Sequence, residues 1–103
     1  MLKPDCSQEI KTEYHMILFV AGDGPNSRIA RKNLDRLCEN ELAGRCTLNI
    51  VDVLQNFKAA AENDILVTPT LLVCRPEPGA MVIGNLNDHQ KVRTALRLEA
   101  DHP

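Results

Sequence analysis

The sequence predicts one α/β domain with a mixed central sheet, in the element order β-α-β-α-β-β-α. Three observations carry that prediction. A continuous apolar run, Tyr14 to Val20, stops at the turn-forming Ala21-Gly22-Asp23-Gly24-Pro25, the pattern of a strand buried on both faces. From Ser27 the apolar spacing changes to the 3.6-residue period of an amphipathic helix. Cys46 to Leu54 then returns to a strand-like run, which completes a β-α-β unit with a right-handed crossover.

Each element has its own reason. In the first helix Ala30, Leu34, Leu37, Cys38 and Leu42 share a core-facing side, opposite Arg28, Arg31, Lys32, Asp35 and Arg36, and Gly44 is the expected stop. The second strand is expected to turn Leu48, Ile50 and Val53 inward. Asn56 can cap a second helix through Lys58, Ala59, Ala60, Ala61 and Glu62, because consecutive alanines have the highest helix propensity available. Ile65 to Cys74 is a β-branched run interrupted by Pro69, which confines the proline to a strand edge or strand start. Arg75-Pro76-Glu77-Pro78-Gly79 reads as a turn and Ala80-Met81-Val82-Ile83 as the returning strand of a hairpin. Asn87, with Gln90 three residues later, has capping-box spacing for a last helix carrying Val92, Ala95, Leu96 and Glu99 on one side. Residues 14–100 form the predicted domain, after a loose arm at 1–13 and before a short tail at 101–103.

Composition excludes some functions. Twelve basic and fourteen acidic residues, a net charge of -2, offer no field for nucleic acid or an anionic membrane. There is no apolar stretch long enough for a signal peptide or a membrane span, so a cytoplasmic protein is expected. Cys6, Cys38, Cys46 and Cys74 contain no Cys-x-x-Cys pair and read as reduced thiols, with a Cys38–Cys46 disulfide as the alternative. His15, His89 and His102 have no metal-ligand spacing. With no Ser-His-Asp arrangement and no phosphate-cradling glycine loop, neither a cofactor nor enzymatic activity is expected.

The turn Asp23-Gly24-Pro25-Asn26 is the most informative stretch. A strand entering a helix through Cys-Gly-Pro-Cys is the thioredoxin motif, whose chemistry needs two thiols at a helix N-terminus. Here Asp23 and Asn26 stand where those thiols would be. The resemblance is therefore to a thioredoxin-like scaffold that has lost thiol exchange. It further implies a cis Thr68–Pro69 bond facing the turn. A thiol oxidoreductase acting through Cys74 or Cys38 is the enzymatic alternative, disfavoured because both are expected to face the core.

Four blocks sharpen the resemblance. Phe19-Val20-Ala21-Gly22 with Pro25-Asn26-Ser27, Ile50-Val51-Asp52-Val53-Leu54 with Asn56, Ile65-Leu66 with Thr68-Pro69-Thr70, and Ile83-Gly84 with Leu86 are similar, in order and spacing, to the KaiB family of cyanobacterial clock proteins. This implies a non-enzymatic adaptor that binds a KaiC-type hexameric ATPase, with KaiA or a histidine kinase as further partners. The partner-binding residues expected on that basis are Asp23, Gly24, Pro25, Asn26, Lys58 and Pro69. A sensor or stress-response domain acting on a histidine kinase is the alternative.

The family is also known for two folds, a thioredoxin-like form and a resting tetramer ordered β-α-β-β-α-α-β. Ala59, Ala60 and Ala61 favour helix where the resting fold needs strand. Ala95 replaces a family glycine, and Arg93 and Arg97 would be costly in a buried strand. These residues predict a thioredoxin-like resting state and a monomer. Asp64, Ala80 and Met81 replace basic residues of the family pattern, which points to a divergent paralogue.

Overall fold

The strand on which the sheet is built, β1 (Tyr14–Val20), is the apolar run of the sequence, and every residue from His15 to Val20 is buried. With no polar side chain after His15, neither of its faces can be left to water. The computed structural model describes Cys6 and residues 11–98. Glu99, the predicted tail and most of the predicted arm lie outside the described residues.

After β1 come α1 (Pro25–Asn40), β2 (Cys46–Asp52), α2 (Phe57–Glu62), β3 (Thr70–Arg75), β4 (Ala80–Ile83) and α3 (His89–Ala95). The strands make one sheet in the order β2-β1-β3-β4. β1 and β2 are parallel, whereas β3 runs antiparallel to β1 and to β4. This is the predicted element order and the predicted mixed sheet.

Alternation along β1 divides the core. Met16, Leu18 and Val20 pack with Ala30, Leu34, Val92 and Leu96 under α1 and α3. Ile17 and Phe19 face the other way, toward Val51, Ala59 and Cys74 under α2. Ala59 and Ala60 are buried and Ala61 is exposed, so the alanine run supplies the small side chains that let a short helix approach the sheet. Asn56 caps α2 as expected, its side chain accepting from the Ala59 amide at 3.2 Å.

Several boundaries differ from the sequence reading, each for a local reason. α1 begins at Pro25, whose missing N–H suits a first helical turn, and ends at Asn40, so Leu42 is buried beyond the helix and Gly44 lies in the following turn at φ +74. Ile50 is 42% exposed because β2 is an edge strand, and Val51 is the residue that reaches the core. β3 starts only at Thr70; before it, the Thr70 hydroxyl donates to the Val67 carbonyl at 2.6 Å and closes a turn. The cap of α3 is Asp88, accepting from the Lys91 amide at 3.3 Å, while the Asn87 amide donates to Asn85. Arg97 lies beyond α3, following the cap Leu96 with φ +61, and Arg93 is the last-turn cation, paired with Glu41.

The cysteine reading requires a larger correction. Cys6 and Cys74 form a disulfide across 68 residues, so the four cysteines are not all reduced, and the Cys38–Cys46 alternative is not the bond that forms. Cys38 and Cys46 remain thiols. Spacing in the sequence reveals near neighbours, whereas this pair is separated by 68 residues and meets only in the fold.

Candidate functional site

β1 and β2 end, and β3 begins, at the same end of the sheet. The Gly22–Asn26 turn, the β2–α2 loop and the loop before β3 therefore converge there. Thr70 pairs with Phe19, so Pro69 lies beside the last residues of β1, where the turn starts. The Thr68–Pro69 bond is cis, and the Pro69 carbonyl accepts from the Gly84 amide at 2.9 Å, tying this loop to the end of β4.

The turn is held by a carboxylate rather than built around thiols. One oxygen of Asp52, at the end of β2, accepts from the Gly22 amide and from the Leu54 amide, both at 3.0 Å. It thereby fixes two loops to each other. Gly22 has φ +68, and an added Cβ would lie 3.4 Å from Leu54 Cδ1, so glycine is required for conformation more than for space. Gly24, by contrast, has φ -68 and serves as the N-cap of α1.

The two positions that replace the thiols have different fates. Asp23 is exposed. Asn26 accepts from the side-chain amide of Asn85 at 3.3 Å, and the Asn33 amide donates to the Asn85 carbonyl and the Asn87 side chain, both at 3.0 Å. This asparagine cluster fastens the N-terminal half of α1 to the β4–α3 loop. Asn26 thus holds the scaffold in place where a thioredoxin carries a redox sulfur.

Lys58 is exposed in the first turn of α2, at the same end of the sheet as Asp23, Gly24, Pro25, Asn26 and Pro69. Arg93, Ala95 and Arg97 are not part of this group. They lie toward the other end, where Arg93 pairs with Glu41 just beyond α1.

The feature that sequence reading missed is apolar exposure. Leu54 is 69% exposed, Phe57 78% and Leu66 92%, and Val67 and Ile83 are exposed at the same end. The sequence reading ran Leu54 into the second strand and Leu66 and Val67 into the β-branched run before Cys74, whereas the structure ends β2 at Asp52 and starts β3 at Thr70, which leaves all three in loops. A groove of about 720 Å³ lies elsewhere among the described residues, along the β3–β4 hairpin beside Cys6 and Cys74. Exposed apolar side chains clustered at one end of a sheet suit a macromolecular surface better than a small substrate, which needs a concave site. No group of three or more potential metal ligands occurs among the described residues, and no described helix is long and apolar enough to cross a membrane.

Comparison with known proteins agrees with this geometry. Among solved structures, chloroplastic thioredoxin z superposes with a TM-score of 0.72 at 20% identity, covering 87% of this chain and 81% of that one. The N-terminal domain of Synechococcus elongatus SasA superposes with a TM-score of 0.70 at 18% identity, over 100% of this chain and 97% of its own. These two likenesses establish a thioredoxin-like fold. In sequence, the circadian clock oscillator protein KaiB of Cyanothece sp. is 43% identical over 89 residues, covering 86% of this chain and 85% of that protein. KaiB1 of Synechocystis sp., also named a circadian clock oscillator protein, is 43% identical over 91 residues, 88% of this chain and 87% of its own. The KaiB domain model matches residues 17–98. Through that match and those relatives, the chain belongs to the KaiB family.

Proposed function

We propose that this protein is a non-enzymatic adaptor that binds a KaiC-type hexameric ATPase through the loop end of its thioredoxin-like fold. The observation that carries the proposal is the exposed apolar rim of Leu54, Phe57, Leu66 and Val67 around a turn that lacks both thiols. Burying such side chains against a partner supplies the driving force, and Asp23 and Lys58 beside them supply orientation. Asp52 and the asparagine cluster hold the loops in place beforehand, which lowers the ordering cost of binding. KaiA is a further partner implied by family membership.

The proposal includes the state that binds. The chain rests as a thioredoxin-like monomer, biased by Ala59, Ala60 and Ala61 in α2 and by Arg93 and Ala95 in α3. Arg97 adds its charge next to that helix end. In the alternative strand, Arg93 would lose its Glu41 partner and enter a sheet as an uncompensated cation. Backbone NMR shifts of the isolated chain should be helical at residues 89–95, and strand shifts there would overturn this reading.

Binding is tested by size-exclusion co-migration with the cognate KaiC-type hexamer in its ATP and ADP states. Phe57→Ala should weaken binding by about thirtyfold or more, as expected for an aromatic anchor, while leaving the unfolding midpoint unchanged because the ring is exposed. Absence of binding in every nucleotide state would reject the ATPase reading. Capture of a histidine-kinase sensor region in its place would support the alternative of a kinase-directed domain.

A further inference from the structure

The turn between β1 and α1 has no thiols, and the sulfur bond of this chain lies instead at the β3–β4 hairpin. Cys74, near the end of β3, is bonded to Cys6 across 68 residues. The two ends of the bond have opposite surroundings. Cys74 is 7% exposed and packs with Ile17, Phe19, Val51 and Ala59 in the cluster under α2. Cys6 is exposed. Both line the groove of about 720 Å³ that runs along the hairpin beside Leu72 and Met81, a volume within the range of about 300–1,000 Å³ that small-molecule sites occupy.

We infer that the Cys6–Cys74 bond is a thiol-exchange site, opened by a low-molecular-weight thiol that enters this groove and attacks the sulfur of Cys6. Exchange requires a thiolate to reach one disulfide sulfur, and exposed disulfides are the labile ones. Cys6 gives that access, whereas the cluster under α2 encloses Cys74. The small thiolate bonds to the Cys6 sulfur, the Cys6–Cys74 bond breaks, and its electron pair leaves on the Cys74 sulfur, which takes up a proton. A second small thiolate then attacks the small-thiol sulfur of the mixed disulfide, and Cys6 departs with its electron pair and is protonated. Two small thiols are oxidised to one small disulfide, and the protein disulfide is reduced to two thiols.

The same asymmetry governs closure. A thiol inside an apolar cluster is inert, so the exposed Cys6 thiolate is the group that attacks a small disulfide. The Cys74 sulfur then attacks the Cys6 sulfur of the mixed disulfide and expels the remaining small thiol. Cys6 is the point of entry in both directions. The ratio of small thiol to small disulfide therefore sets whether the chain carries its 68-residue covalent restraint. The protein is itself the substrate, so this is a site of modification and not of catalysis.

The test treats the full-length disulfide form with reduced glutathione in the absence of denaturant, quenches samples with acid, alkylates free thiols and maps the peptides by mass. Opening is expected from the folded state, at a rate unchanged by urea well below the unfolding transition, with glutathione adducts at least about tenfold more abundant on Cys6 than on Cys74. Returning the reduced protein to oxidised glutathione should restore the Cys6–Cys74 link. In single variants, Cys74→Ala should take a glutathione adduct on Cys6 about tenfold or more faster than Cys6→Ala takes one on Cys74. The inference is overturned if the opening rate rises in step with the unfolding equilibrium, because the bond is then reached only in the unfolded chain. Adducts mainly on Cys74, or reoxidation that links Cys6 to Cys38 or Cys46, would also overturn it. Because opening and reclosure are read on the unsubstituted protein, the outcome does not depend on whether an alanine variant folds.

Discussion

Among the described residues, α1 and α3 enclose a cluster of thirteen buried apolar residues on one face of the sheet, whereas on the other a six-residue α2 meets a cluster of five. The difference separates two tasks. The α1/α3 face has enough apolar burial to hold the strands in register, since hydrophobic stabilisation scales with area removed from water. The α2 face is lightly covered: it relies on Ala59 for close approach and on the Cys6–Cys74 bond for covalent restraint. It is also the side from which Phe57 and Leu54 emerge into solvent. A thin cover leaves apolar side chains available to a partner, and the thicker face supplies the stability that makes this tolerable.

Removing the tether is the most severe way to challenge that comparison. Cys6→Ser with Cys74→Ser opens a loop of 68-residue separation, and the loss of chain-entropy restraint for such a loop is worth about 4 kcal/mol of stability. Urea unfolding should detect it. A loss near zero would mean that the α2 face holds without covalent restraint.

Truncation on each face sharpens the contrast. Leu34→Ala, fully buried under α1, should cost about 3 kcal/mol from lost transfer energy plus the cavity. Ala59→Gly on the other face should cost about 1 kcal/mol, chiefly through helix propensity. Hydrogen exchange should then localise the Ala59→Gly effect to α2 and the Leu34→Ala effect to the whole sheet. Equal costs and equal spread would erase the distinction between the faces.

A pH-dependent effect, small near pH 9.0, lies at the edge of the thick face. Folded Cys38 is pushed up from 9.0 to about 12, mainly by burial. Above pH 9.0 the unfolded chain releases a proton that the folded chain retains, so stability should fall as pH rises from 9.0 toward about 12. Urea midpoints taken on either side of pH 9.0 should show this slope, and Cys38→Ser should flatten it.

Much of the fold was legible because its signals are local. Tyr14 to Val20 had to be an interior strand, and Asn56 before an alanine run had to cap a helix. The misreadings share a cause. Asn87 and Asp88 are adjacent cap candidates, and the choice was made by Asn85 and Asn33, which engage Asn87 from elsewhere in the fold. Ile50 carries the pattern of an inward residue, yet β2 has no neighbour on its outer side to cover it. Of the candidate site, the sequence identified the turn and Pro69. It did not identify the role of Asp52, which depends on two loops meeting.

What the residues determined by themselves is the class of the molecule: alternating apolar periods, a turn without thiols and four family blocks lead to a thioredoxin-like KaiB domain. What only the tertiary structure decided is pairing between distant groups. Cys6 bonded to Cys74, Arg93 set against Glu41, and Leu54 and Phe57 left facing water on the thin side are outcomes of how the elements stack. The physical reason is range. Hydrogen-bond caps and hydrophobic periods act within a few residues, whereas disulfides, ion pairs and exposure depend on which surfaces the folded chain brings together.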